Sequence, residues 1–272
     1  MAGRELTSIR SARVKAARRL AKRAFRQRER RFLAEGPQSV REALALPGTT
    51  LYELYATADA EQRHPELVEA AEAAEVPVLR VSGEVMAELA GTVTPQGLLA
   101  VCGTLDVSLA TALEGAPQLV TVLAHVRDPG NAGTVLRTAD AAGSGAVVFT
   151  DASVDPYNGK CVRASAGSLF HLPVVVGPRI DTLIPALRAA GLAVLAADGS
   201  GDTTLDETID SGVLSKPTAW IFGNEAWGLP ADILRQADEV VRVPIYGGAE
   251  SLNLATAAAV CLYASARAQR AS

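Results

Sequence analysis

From residue 119 onward the sequence alternates short, almost wholly apolar runs with helix-like stretches, and this pattern constrains the fold more than any other feature of the chain. Strands that are apolar on both faces belong in a parallel sheet covered by helices on each side. The runs predict strands over 119–126, 146–150, 173–176, 192–197, 218–222 and 239–243, with helices between them and a long Ala-rich helix over 252–268. In such sheets ligands bind outside the carboxyl ends of the strands, so the loops found there carry the search for chemistry.

A smaller α/β pattern precedes this one. Helix 38–46 ends at Pro47-Gly48, and strand 50–56, helix 65–74, strand 76–81, helix 83–90 and strand 97–102 follow. Residues 107–117 have little periodicity and carry Gly115 and Pro117, which suits a linker. The expected division is a basic segment over 1–30, a small domain over 31–106, the linker, and a larger domain over 118–272. No apolar run approaches the roughly 20 residues that span a bilayer, so neither membrane insertion nor secretion is expected. Cys102, Cys161 and Cys261 lie far apart among apolar neighbours, which suits buried thiols in a reducing compartment rather than zinc ligands or a disulfide frame.

Charge is distributed unevenly. Residues 1–31 hold twelve Lys/Arg against Glu5 and Glu29, whereas the whole chain has a net charge of −4. A basic block on an otherwise acidic protein suits contact with nucleic-acid phosphates, and equally suits a solvated basic helix. It also imitates an organelle transit peptide, but it runs directly into a segment that reads as structured.

Three loops at strand ends are richer in Gly, Asn and charged residues than a connection requires. The first runs from Arg127 through Asn131, Gly133 and Arg137 to Ala139, with Asn131 placed to cap the helix that begins there. The second reads Gly223-Asn224-Glu225-Ala226-Trp227-Gly228-Leu229, an acid between glycines just beyond a buried strand. The third runs from Pro244-Ile245-Tyr246-Gly247-Gly248 to Ser251-Leu252-Asn253, where the paired glycines let backbone approach a ligand closely. No phosphate-cradling pattern competes with them: Gly199-Ser200-Gly201 lacks a third glycine, and no G-x-x-x-x-G-K-[ST] is present. His64, His125 and His171 are dispersed and read as structural, and no metal cluster is expected.

In this order the three loops resemble the motifs of the SpoU (TrmH-like) family of RNA 2′-O-ribose methyltransferases, in the wider SPOUT superfamily. The matching residues are Asn131-x-Gly133-x-x-x-Arg137-x-Ala139, Phe222-Gly223-x-Glu225-x-x-Gly228-Leu229, and Pro244 to Gly247 with Ser251-Leu252-Asn253. Lys160-x-x-Arg163-Ala164-Ser165 is similar to the stretch that supplies a further RNA-facing arginine in the family, and Phe32-Leu33-x-Glu35-Gly36 and Pro95-Gln96-Gly97 are similar to the edges of its ribosomal-protein-like RNA-binding domain. Ala226 stands where many relatives have Gly, and it would be mildly strained if its φ had to be positive.

The resemblance implies a small α/β RNA-binding domain followed by an α/β methyltransferase domain with a mostly parallel sheet and a carboxyl-terminal trefoil knot. It implies S-adenosylmethionine as cofactor, touching Gly223, Val243 and Leu252 with Ile245 and Ala249 nearby, and a homodimer formed through the knotted domain. Arg137 becomes the central catalytic group, with Asn131, Glu225, Ser251 and Asn253 holding it and the ribose. A guanidinium is a costly proton acceptor, so stabilisation of developing alkoxide charge suits Arg137 better than general-base work, and the base is left open. Arg163 and Lys160, with Arg10, Arg18, Arg19 and Arg41 of the amino-terminal part, are the expected RNA-binding cations. Large-subunit ribosomal RNA in the cytoplasm is the expected substrate. Transfer RNA, or a non-catalytic role in ribosome assembly, is the alternative.

Overall fold

The computed structural model describes residues 5–271, so Arg4 of the basic segment and Ser272 at the end of the expected second domain lie outside it. It divides into two compact units: residues up to Leu105 together with Tyr157–His171, and Asp106–Pro156 together with the chain from Leu172.

The first unit is built on a four-stranded sheet in the order β1-β4-β2-β3, with β1 Arg31–Glu35, β2 Leu51–Ala56, β3 Val78–Arg80 and β4 Leu98–Gly103. β4 is antiparallel to both neighbours and β2 runs parallel to β3. Helices Pro37–Ala45, Pro65–Ala73 and Gly83–Ala90 lie close to the predicted ranges. β1 was not expected. Its five residues alternate in burial only briefly, and its partner β4 lies far along the chain.

The basic segment packs into the first unit. It forms helices Ala12–Arg19 and Arg23–Glu29. Between its cations Val14, Ala17 and Leu20 recur at three-residue steps and are buried with Tyr55, Val85, Met86 and Leu99. Arg26 is buried as well, its Nη1 donating to the carbonyls of Leu20 and Ala21 at 2.9 and 2.7 Å. The segment Tyr157–His171, expected within the catalytic stretch, clusters with this first unit. The Tyr157 and Phe170 rings lie 4.8 and 6.0 Å from that of Phe32, and the Leu105 N–H donates to the Tyr157 hydroxyl at 2.7 Å.

The second unit carries a seven-stranded sheet in which every neighbouring pair is parallel. Its strands are β5 Leu119–Leu123, β6 Ala146–Phe149, β7 Val174–Val176, β8 Ala193–Ala197, β9 Thr203–Thr204, β10 Thr218–Phe222 and β11 Glu239–Arg242, in the order β7-β6-β5-β10-β8-β11-β9. After β5 the chain moves outward through β6 and β7, then returns to β5's other side. The carboxyl ends around β10 thus lie at a topological switch point. Apolar side chains of β5, β6, β8 and β10 fill the core. Buried Trp220 satisfies its indole N–H on Ser265 Oγ at 2.8 Å.

The expected linker contributes to this unit. Helix Leu109–Leu113 is capped by Ser108, and its Ala112 is buried in the core. All three cysteines are buried, and burial pushes the thiols of Cys102 and Cys261 up to about 12, which leaves them inert at neutral pH. No helix among the described residues is long and apolar enough to cross a membrane.

Candidate active site

At the carboxyl ends of β8, β10 and β11 lies a cavity of about 550 Å³, within the roughly 300–1,000 Å³ usual for small-molecule sites. Ala197 to Gly199, Phe222 to Gly228, Val241 to Val243 and the start of the last helix form its wall. Of the expected cofactor-binding residues, Gly223, Val243, Ile245 and Leu252 line it. Ala249 does not: it is exposed on the loop, and Glu250 and Ser251 take the wall positions instead. Asp198, Glu225 and Glu250 place three carboxylates on the wall against one guanidinium, Arg242.

The geometry of the second loop depends on two glycines. The backbones of Asn224 and Gly228 exchange hydrogen bonds of 2.8 and 3.0 Å, closing a tight turn. Gly228 has φ +70°, and a Cβ there would stand 2.4 Å from Asp198 Oδ2, the atom that accepts the Leu229 N–H. A Cβ on Gly223 would stand 2.5 Å from the Gly228 carbonyl oxygen. Strain does not fall on Ala226, whose φ is not positive and whose N–H donates to Asn224 Oδ1 at 2.9 Å. Gly228→Ala should lower stability by about 1–3 kcal/mol in chemical denaturation and open the cavity wall. Unchanged stability would show that the turn tolerates a side chain. Gly247 and Gly248 differ: a Cβ on either meets open space, so the folded chain itself does not require glycine there.

Beside the cavity three chain-distant loops are tied together. Asp128, not Asn131, caps helix Pro129–Ala142, its carboxylate accepting the Asn131 N–H at 2.8 Å. The Asn131 side chain is therefore free for other partners. Its Nδ2 donates to Glu225 Oε1 at 3.2 Å, and its Oδ1 accepts from Asn253 Nδ2 at 3.1 Å. Glu225 also accepts the backbone N–H groups of Asp128 and Arg127 at 3.2 and 3.4 Å. Asn253 Oδ1 accepts the Ala255 N–H at 2.9 Å, at the start of the last helix, Leu254–Ala271. Ser251 lies on the cavity wall. Arg137 stands apart: it is exposed on helix Pro129–Ala142, does not line the cavity, and has no ion-pair or hydrogen-bond partner among the described residues.

The expected RNA-binding cations divide by environment. Arg10 and Arg19 are exposed, and Arg19 lies 5.7 Å from the Phe25 ring centroid. Arg18 pairs with Glu88, and Arg41 pairs with Glu66 at 3.2 Å. Lys160 is exposed, whereas Arg163 Nη1 pairs with Glu35 Oε2 at 2.9 Å and that carboxylate is buried. A buried acid of this kind needs its partner. Arg163 therefore holds the first unit together instead of presenting an open guanidinium. Asp128, Asn224 and Trp227 fall within the loops read from the sequence but carried no role there, and Asp198 was not singled out. Asp128 ahead of Pro129 was a legible capping signal.

A model of the SpoU rRNA Methylase family matches residues 118–263, and one of the MRM3-like substrate binding domain matches residues 11–100. The chain is 35% identical to the 23S rRNA (guanosine(2553)-2′-O)-methyltransferase RlmP of Bacillus subtilis, over 96% of this chain and 98% of that protein. Its fold is similar to the AdoMet-bound rRNA methyltransferase from Sinorhizobium meliloti, with TM-score 0.81, 31% identity and 97% of each chain covered. It is also similar to the SpoU methyltransferase AviRb from Streptomyces viridochromogenes in complex with AdoMet, with TM-score 0.82 and 27% identity over 96% of this chain and 100% of that one.

Proposed function

The chain belongs to the SpoU rRNA methylase family and is an S-adenosylmethionine-dependent RNA 2′-O-ribose methyltransferase; from that membership we propose that its acceptor is a ribose of large-subunit ribosomal RNA. The observation that carries the reading is the hydrogen-bonded convergence of Asn131, Glu225 and Asn253 beside the cavity at the strand ends. The Bacillus subtilis relative, named for a guanosine in 23S rRNA, supports the choice of RNA.

The cofactor supplies a methyl group already activated on a sulfonium. The cavity fits it in size, and its three carboxylates against one arginine suit a ligand with net positive charge. Gly223, Val243, Ile245 and Leu252 would hold it. The rest of the work belongs to the protein: placing a ribose hydroxyl in line, excluding water, and lowering the energy of an oxygen that gains negative charge. Arg137, unpartnered and exposed, meets that oxygen or its neighbouring phosphate. Asn131, Glu225 and Asn253 tie their loops together beside the cavity, and Ser251, on the cavity wall, is assigned to the ribose.

RNA grip falls to the exposed cations of the first unit, Arg10, Lys15, Arg19, Lys22 and Arg23, more than to Arg163. We place the enzyme in the cytoplasm, as a homodimer formed through its carboxyl-terminal unit. Val260 and Tyr263, exposed one turn apart on the last helix, offer an apolar stripe for that contact. The deciding experiment maps 2′-O-methyl sites in ribosomal and transfer RNA with and without the gene. Loss of one large-subunit site is expected. Loss confined to transfer RNA would overturn the substrate, and no change in any RNA would overturn the activity.

A further inference from the structure

Trp227 lines the cavity yet is 53% exposed, and none of the roles above uses it. An indole left half in water at the lip of a site presents a flat apolar face toward whatever enters.

Its placement is fixed by its neighbours. The His125 ring meets it edge-on, with centroids 5.4 Å apart and planes at 62°. His125 follows β5 and adopts φ +60°, a conformation uncommon for a residue other than glycine and one that persists where its surroundings enforce it. Asn224 Nδ2, from the same turn as Trp227, donates to the His125 carbonyl at 3.0 Å. His125 does not line the cavity, whose wall comes from the ends of β8, β10 and β11. The indole thus stands between the donor cavity and the β5 side, where Asp128, Asn131 and Arg137 lie.

We propose that Trp227 is the stacking platform for the base of the acceptor nucleotide, held in position by His125; this rests on the RNA reading above. For a 2′-oxygen to reach a recessed donor its nucleotide has to leave the helical stack, and RNA-binding proteins commonly receive such a base on an aromatic face. Every base has a π-face, so the platform supplies affinity and orientation without dictating sequence.

The chain has two tryptophans, and the other, Trp220, is fully buried, so a ligand-induced change in tryptophan fluorescence reports on Trp227. Adding a mixed-sequence single-stranded RNA oligonucleotide to the full-length protein should quench the emission, and Trp227→Phe should abolish the quench. With ribosomal RNA as acceptor, Trp227→Ala should raise the KM for RNA about 5- to 100-fold, while the KM for S-adenosylmethionine stays within about two-fold. Trp227→Phe and Trp227→Tyr should recover most of the loss, which a purely structural role would not predict. Quenching by S-adenosylhomocysteine alone, with a raised KM for the donor, would assign the indole to the cofactor and overturn the proposal, as would RNA binding without any quench. If the wild-type protein methylates no RNA the functional reading fails, whereas the RNA titration still decides the stacking.

Discussion

Replacing Arg137 by alanine should reduce kcat about 10³-fold while donor affinity, measured by calorimetry, changes by less than about two-fold. Preorganised donors aimed at developing oxyanion charge are worth about 2.7–4 kcal/mol each when removed, or 10²- to 10³-fold in rate. Arg137 fits that role because no carboxylate among the described residues neutralises it and its helix is anchored by the Asp128 cap. Donor binding should survive because the residue is not part of the cavity wall. Arg137→Lys keeps the charge but loses the planar fork, so it should fall between wild type and alanine. An equal loss of donor affinity in Arg137→Ala would instead make this arginine part of the cofactor site.

Strand 218–222 and helix 83–90 agree with their expected ranges residue for residue, because each is an uninterrupted local pattern bounded by clear stop signals. The site was legible in part: Asn131, Glu225 and Asn253, read in three separate loops, are joined by side-chain hydrogen bonds, whereas Ala249 lies off the cavity wall and Asp128 takes the capping place expected of Asn131. What was not legible depends on partners far away in sequence. β1 exists because β4 pairs with it, and Tyr157–His171 joins the first unit through Phe32 and Glu35. Arg163 looks like an open cation in its motif, and only the fold reveals the buried Glu35 beside it. In the basic segment the density of charge reads as a phosphate-contacting block or a solvated helix, and the core role of Val14, Ala17 and Leu20 between the cations emerges only from their packing against Tyr55, Val85, Met86 and Leu99.

That core role determines how the RNA contribution of the segment has to be tested. Truncating the first 30 residues would expose the sites that Val14 and Leu20 fill, each contributing about 1.5–3 kcal/mol of burial, so a shortened protein would lose RNA affinity by losing the unit itself. Changing Lys15, Arg19, Lys22 and Arg23 together to glutamine removes four exposed charges and leaves Val14, Ala17, Leu20 and Arg26 in place. Each phosphate contact contributes about 0.7 to 0.9 to the slope of log affinity against log salt. If all four cations meet phosphate, the slope should shrink by about 3, and binding in dilute salt should fall by roughly 10²- to 10³-fold. Thermal unfolding should be nearly unchanged, because exposed, unpaired cations contribute little to stability. The kcat at saturating RNA should also persist, since none of the four lies among the residues tied together beside the cavity. An unaltered salt slope would mean that these helices only build the first unit, and that the RNA is gripped elsewhere.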